Sequence, residues 1–290
     1  MGEAIYFVSD THLGDGSGAD RFRSQQLLLN LLQRIEEEPQ AHLVLLGDFM
    51  ELWASSLEPI LIHHAPVFRL IGRIAAKHSV TYVVGNHDCL PWYYFVDQGT
   101  GNIRVVGQFQ ASRGPLVALH GHQFDPFNQV KVSPDHVKAP WTRKLVQVMG
   151  FLGRVGGEAT GDALADAGSV IESAVSSLET LLPQWEESTR QSLGGFLRHT
   201  KDIVSKESPG ERGYPSGETM YEEGARRLMR SGAKIVVMGH THHPLVHKYS
   251  DRTYVNTGSW VSDQYPPTYA RWADGKIELL EADRHQPFSG

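Results

Sequence analysis

The sequence predicts an α/β protein: a two-layer sandwich of mixed sheets flanked by helices, interrupted by a helical insertion. Three observations predict it. Apolar strand-like runs alternate with amphipathic stretches in the first third of the chain, the pattern of crossover-linked parallel strands. Short strand-like runs separated by tight-turn residues fill the last fifth, which points to antiparallel pairing. Between them, residues 126–231 lose strand alternation and show helical spacing.

The first core strand is read at residues 4–9. Asp20–Glu38 follows with Phe22, Leu27, Leu28, Leu31, Leu32 and Ile35 on one helical face, ending before Pro39. A strand at His42–Leu46 comes next. Residues 58–78 read as helical, with Pro66 kinking or splitting the stretch. Thr81–Val84 is the third strand. Arg104–Ala111 and Pro115–His120 read as a hairpin turning at Ser112-Arg113-Gly114. In the insertion, Trp141–Val155, Asp162–Leu182 and Gln191–Ile203 read as helices, punctuated by Gly156-Gly157 and Pro209-Gly210. After Lys234–Met238, strands are expected at 245–249, 253–257, 268–272 and 276–281, with turns at Ser250-Asp251-Arg252 and Ala273-Asp274-Gly275. The division is therefore a core of residues 1–125 and 232–290 and an insertion of 126–231. Both ends of the insertion lie beside histidine-bearing segments, so it is placed to cap them.

Five short segments carry the chemistry. Asp10-Thr11-His12, Gly47-Asp48, Gly85-Asn86-His87-Asp88, His120-Gly121-His122 and Gly239-His240-Thr241-His242 each follow an apolar run that reads as a strand. Strand ends in α/β sheets are where ligand sites assemble. Phosphate-ester hydrolysis needs a hydroxide at neutral pH and stabilised charge on the phosphoryl oxygens. Two metals roughly 3.5–4 Å apart supply both, by acidifying a bridging water and clamping the phosphate. A mixed Asp, Asn and His donor set suits manganese, with iron, zinc or cobalt as alternatives, rather than calcium. With Cys89 as the lone cysteine, a thiolate cage is impossible.

The combination D-x-H, G-D, G-N-H-D, H-G-H and G-H-T-H resembles the calcineurin-like metallophosphoesterase superfamily, over about residues 4–125 and 232–282. The resemblance implies that Asp10, His12, Asp48 and His242 hold a first metal. Asp48 would bridge, and Asn86, His120 and His240 would complete a second site. His87 would stabilise the phosphate or protonate the leaving oxygen, with Asp88 orienting it. The stretch GDFMELW, the pair in GHTHHP and the long insertion are similar to the UDP-2,3-diacylglucosamine pyrophosphatases of lipid A synthesis. That subfamily usually carries Arg at the position of His87 and H-G-D where this chain reads His120-Gly121-His122. Both departures fall at the implied substrate face.

Other residues have bland readings beside functional ones. His122 can reach a substrate or make a structural hydrogen bond. Trp53 and the run Trp92, Tyr93, Tyr94, Phe95 pack in the core or line an apolar or base-stacking pocket. Lys131, with Lys138, Arg143 and Lys144, forms a solvated face or attracts a diphosphate or membrane surface. Gly14, Gly16 and Gly18 lack the Lys and Ser/Thr of a P-loop and read as a flexible loop. His42, His63, His64, His78, His136, His199, His247 and His285 are expected to be exposed or locally hydrogen-bonded.

Composition bounds the rest. The 290 residues have formal net charge −6, which does not advertise nucleic-acid binding. A single cysteine excludes an intramolecular disulfide and fits a reducing compartment. The N-terminal MGEAIYFVSD lacks a targeting pattern, and no apolar run approaches the ~20 residues that span a bilayer. The expectation is a cytoplasmic hydrolase acting on a small-molecule or lipid-linked phosphate, with peripheral inner-membrane contact as a variant and no obligatory protein partner. A broad phosphodiesterase or a Ser/Thr-phosphatase-like phosphomonoesterase is the alternative. A non-catalytic scaffold is disfavoured, because the full ligand set is present.

Overall fold

Period-two burial along the first strand explains the layering. In β1 (Ala4–Val8), Ala4, Tyr6 and Val8 join an apolar cluster with helix side chains, while Ile5 and Phe7 join a second cluster on the opposite face. The computed structural model describes residues 3–17, 20–89, 103–112, 114–125, 131–133, 136–138 and 219–288.

The chain continues through α1 (Gln25–Glu37), β2 (Ala41–Leu46), α2 (Leu57–His63), α3 (Ala65–Lys77), β3 (Ser79–Val83) and β4 (Ile103–Val106). Then come β5 (Phe109–Gln110), β6 (Leu116–Ala118), a 3-10 turn at His122–Phe124, β7 (Lys131–Ser133) and β8 (His136–Lys138). After α4 (Thr219–Arg230), β9 (Ile235–Met238), β10 (Leu245–Tyr249), β11 (Arg252–Asn256), β12 (Thr268–Ala273) and β13 (Lys276–Glu281) complete it.

The first sheet has order β13-β12-β1-β2-β3-β4. Its β1 to β4 are parallel, and β12 and β13 add antiparallel at one edge. The second has order β10-β11-β9-β6-β5, with β6, β9 and β11 parallel. Val44, Leu46 and Val83 of one sheet meet Leu116, Ala118, Val237 and Val255 of the other in the apolar layer between them. On the outside of the first sheet, α1 and α3 bury Leu28, Leu31, Leu32, Ile35, Val67, Leu70 and Ile74, each worth about 1.5–3 kcal/mol of removed apolar surface. On the outside of the second, Ala225 and Met229 of α4 meet Val236, Met238 and Tyr254. The expected sandwich of mixed sheets is the observed one.

Two expectations shift, and a third, the split near Pro66, is met. Asp20 does not open a helix: its carboxylate accepts from the backbone N–H of Gly16 (2.9 Å) and Phe22 (2.9 Å), tying 20–22 into a loop so that α1 starts at Gln25. The stretch 58–78 splits at His64, with Pro66 in the first turn of α3, where a missing N–H costs nothing. Arg104–Ala111 is not one strand of a hairpin. It bends at Gly107-Gln108, so β4 pairs with β3 in the first sheet and β5 with β6 in the second. Phe109 and Ala111 are thereby buried between the sheets.

The chain divides into two units, Met1–Val146 with Glu218–Gly290, and Gln147–Gly217. Within 126–231, the start carries the β7–β8 hairpin and the end carries α4, packed on the second sheet. The helices expected at 141–155, 162–182 and 191–203 lie outside the described residues, as do Trp92, Tyr93, Tyr94 and Phe95. Among the described residues, no helix is long and apolar enough to cross a membrane.

Candidate metal centre

The proposed ligands share an unusual backbone. Asp10, His12, Asp48, His240 and His242 all have positive φ, between 45° and 73°. For residues other than glycine this conformation costs of order 1–3 kcal/mol each and clusters at functional sites. Here it turns side chains sharply off the strand ends. Asp10 and His12 donate their N–H groups to the Gly47 and Asp48 carbonyls (3.1 and 3.0 Å), lacing the loops after β1 and β2 together. The Gly239 N–H donates to the His120 carbonyl (2.9 Å), lacing the loops after β6 and β9. The motif glycines leave room for ligands from the next loop. A β-carbon on Gly85 would overlap the Asp48 carboxylate, and one on Gly239 the Asp10 carboxylate.

Two clusters result. Asp10, His12 and His242 form one, and Asp48, His120 and His240 the other; in each, the ligand atoms lie within 4.8 Å of one another. His12 Nε2 is 3.2 Å from His242 Nε2, which is 3.4 Å from Asp10 Oδ1. His120 Nε2 is 3.0 Å from Asp48 Oδ2 and 4.0 Å from Asp10 Oδ1. Asp48 also groups with His12 and His87, so it stands between the clusters.

Each ring is held from its far side. His12 Nδ1 donates to Glu51 Oε2 (2.8 Å), His120 Nδ1 to the Leu46 carbonyl (2.9 Å), and His240 Nε2 to Asp125 Oδ2 (3.1 Å). Such bonds fix the tautomer and present the other nitrogen to an ion. One acceptor is left over. Asn86 Oδ1 is buried without a hydrogen-bond partner among the described residues. A buried acceptor in that state is costly, and a cation would satisfy it. The mixed nitrogen and oxygen donors fit divalent manganese, iron, zinc or cobalt.

The electrostatics agree. Burial pushes the Asp48 carboxyl up, but the adjacent His120, His87 and His12 outweigh it and hold it well below the usual carboxylate range. Burial likewise raises Asp10, and His120 and His242 bring it down. Burial lowers His120, yet Asp48 and Asp10 raise it on balance. The site holds two anionic carboxylates that call for positive charge, from protons or from metal.

Around His87 the structure corrects the sequence reading. The His87 N–H donates to Asp48 Oδ1 (2.8 Å), and its Nδ1 to Glu51 Oε1 (2.8 Å). Asp88 does not orient it. The buried Asp88 carboxylate instead accepts from Phe49 N (2.7 Å), the Tyr82 hydroxyl (2.5 Å) and Gly85 N (2.8 Å). Its geometry closes the Gly85–Asp88 turn, because its oxygens are spent on these donors. Glu51 was missed. It lies in the quoted GDFMELW stretch as a lone acid among apolar residues three positions after Asp48, and that signal was available. Asp125, the partner of His240, had no comparable signal.

Trp53 stacks on the His87 ring, with centroids 3.7 Å apart and planes at 15°, and donates its indole N–H to the Asn86 carbonyl (2.9 Å). It is buried against the site rather than offered as an open platform. His122 is also buried, its ring 5.5 Å from His120 and 6.5 Å from His240. Burial and the neighbouring His120 and His240 lower it to about 3, so it is neutral. Lys131 sits on β7, and its side chain lies outside the described residues.

The family model of calcineurin-like phosphoesterases matches residues 4–244. The chain belongs to that family. The two clusters lie at the ends of β1, β2, β6 and β9 in this phosphoesterase. It is similar to a UDP-2,3-diacylglucosamine hydrolase of Porphyromonas gingivalis, 27% identical over 139 residues, covering 47% of this chain and 51% of that protein. The chain thus spans about half the length of this curated relative. Solved structures similar to it include the phosphoesterase YfcE of E. coli (13% identity, TM-score 0.43, covering 99% of this chain and 97% of that one). Another is a putative 5'-nucleotidase of Staphylococcus aureus (16% identity, TM-score 0.44, covering 97% and 54%). At these values neither bears on this phosphoesterase's substrate.

Proposed function

We propose that this phosphoesterase is a two-metal hydrolase whose substrate is a lipid-linked nucleotide sugar of the UDP-2,3-diacylglucosamine type, cleaved at its pyrophosphate. The observation that carries the two-metal reading is Asp48, standing between an Asp10/His12/His242 cluster and a His120/His240 pair. Asp10, His12, Asp48 and His242 would hold one ion, and Asp48, Asn86, His120 and His240 the other. When bound, such ions supply a nucleophile at neutral pH and neutralise phosphoryl oxygens. The protein's own part is positional. Glu51, Leu46 and Asp125 aim the imidazoles. His87, with Nδ1 committed to Glu51, keeps Nε2 for a phosphoryl or leaving-group oxygen.

The name of the Porphyromonas gingivalis relative and the motif resemblance support the lipid-linked substrate. That substrate would bring the enzyme to the inner membrane surface from the cytoplasm.

Two measurements test this. Metal analysis of Asp48→Ala should show loss of bound manganese together with most turnover; two retained ions at near-normal turnover would sink the assignment. A manganese-supported panel of UDP-diacylglucosamine, simple and cyclic nucleotides, bis-p-nitrophenyl phosphate and phosphopeptides should rank the first highest. A higher kcat/KM for any other substrate would displace the lipid reading while leaving the metal reading intact.

A further inference from the structure

A third cluster of metal-type ligands lies outside the centre just described. Asp20, His63 and His64 bring ligand atoms within 4.8 Å of one another. They come from two places: Asp20 ends the loop that leaves β1 through His12, and the histidines form the junction between α2 and α3.

Each member is set for coordination. The Asp20 carboxylate is buried and oriented by the Gly16 and Phe22 N–H groups. His64 is 2% exposed, and its Nδ1 donates to Gln25 Oε1 at 2.6 Å. That bond leaves Nε2 as the lone-pair nitrogen. Burial, and after it the neighbouring His63, lower His64 from its ordinary value, which favours the neutral ring. Among the described residues Nε2 has no hydrogen-bond partner within normal geometry; the Asp20 carboxylate lies 3.8 Å from it, and the Gly14 backbone lies beside the ring. A lone pair facing a carboxylate in a buried place is unfavourable unless a cation lies between them. The His63 ring stands at 88° to that of His64, centroids 4.7 Å apart, on the exposed side. Gly14 and Gly16 are pressed against this group: a β-carbon on Gly14 would lie 2.6 Å from Asp20 Cγ, and one on Gly16 would strike the His63 ring. Gly14 and Gly16, first read as part of a flexible loop, are packed against the cluster.

We propose that Asp20, His63 and His64 form a separate structural zinc site, with the Gly14 carbonyl or solvent as fourth donor. Two imidazoles and one carboxylate are a borderline set that zinc accepts tetrahedrally, with ligand atoms about 3.4 Å apart for bonds of about 2.0–2.1 Å. The 3.8 Å separation needs a contraction of only a few tenths of an ångström. Bound there, zinc would pin the loop that carries Asp10 and His12 to the α2–α3 junction. It would act on stability rather than on chemistry.

The test uses the full chain, stripped with chelator, reloaded with zinc and passed through gel filtration. Wild type should retain one zinc per chain more than His63→Gln, and one more than His64→Gln. His63 is exposed, so its variant stays informative even where the buried His64 change disturbs folding. In an Asp48→Asn background, zinc should still raise Tm, and adding His63→Gln should remove most of that rise. Equal zinc content in wild type and His63→Gln, or an unchanged zinc-dependent Tm rise in the double variant, would overturn the site. Because the count is a difference between variants, it does not depend on how many ions the catalytic centre binds.

Discussion

The Glu51 carboxylate accepts from two imidazoles: His87 Nδ1 lies 2.8 Å from both of its oxygens, and His12 Nδ1 lies 2.8 Å from Oε2. One side chain thus aims both a proposed ligand and the proposed proton donor. Burial raises its carboxyl, but His87 and His12 hold it far below the usual carboxylate range, so it stays anionic.

Glu51→Gln should therefore lower manganese affinity and kcat/KM by roughly 10–100-fold, the usual cost of losing an outer partner of a metal ligand. The amide can accept from one imidazole but presents N–H to the other. Metal titration and kinetics on the variant check it; unchanged affinity and unchanged kcat/KM would leave Glu51 a bystander.

His87 separates binding from chemistry. His87→Ala should retain its metal content and lose about 10²–10⁴-fold in turnover, the range for a positioned proton donor. Trp53→Leu removes the stacked wall behind the ring and should reproduce part of that loss with metal content unchanged. Loss of metal from His87→Ala would show that the ring coordinates instead.

Asp88 should act on stability. Its carboxylate serves two backbone N–H groups and the Tyr82 hydroxyl inside the protein, and each buried donor left unpaired costs about 1–3 kcal/mol. Asp88→Ala should lower the Tm of the metal-free protein by roughly 6 °C or more, taking about 1 kcal/mol for each of the three donors as the smallest cost and about 2 °C per kcal/mol at this size. A full-strength Tm with lost turnover would restore the catalytic role inferred from the sequence.

These cases show what was legible in advance. The strand ends were legible because β1, β2 and β9 are apolar runs closed by Asp10, Asp48 and His240. Glycine stands before Asp48, Asn86 and His240, but only the structure shows that Gly85 meets Asp48 and Gly239 meets Asp10. Partners far apart in sequence were illegible. Nothing near Asp125 says that it meets His240, 115 residues away. Asp88 was assigned to His87 by the family resemblance, whereas consecutive residues in a tight turn point to different sides. The sheet switch after β4 escaped because Arg104–Ala111 keeps an apolar texture across the bend at Gly107, and texture does not reveal which sheet a strand joins.

His42 gives a pH test away from the metal centre. Its Nε2 pairs with Thr81 Oγ1 at 2.8 Å, and its ring lies edge-on to Phe109. Burial first, and the Arg104 charge second, lower it from 6.5 to about 4. The folded protein thus resists a proton that the unfolded chain accepts. The sign follows: the neutral ring's contribution is complete above pH 6.5, shrinks as pH falls through the interval, and is gone below about 4, where both states are protonated. With screening at a half-buried ring, the change is about 2 kcal/mol. His42→Gln keeps a partner for Thr81 but cannot titrate. Between about pH 7.5 and about pH 4.5 in chelator, wild type should lose more Tm than the variant, by roughly 4–8 °C. Parallel Tm profiles for the two proteins would mean that His42 takes up its proton as readily folded as unfolded.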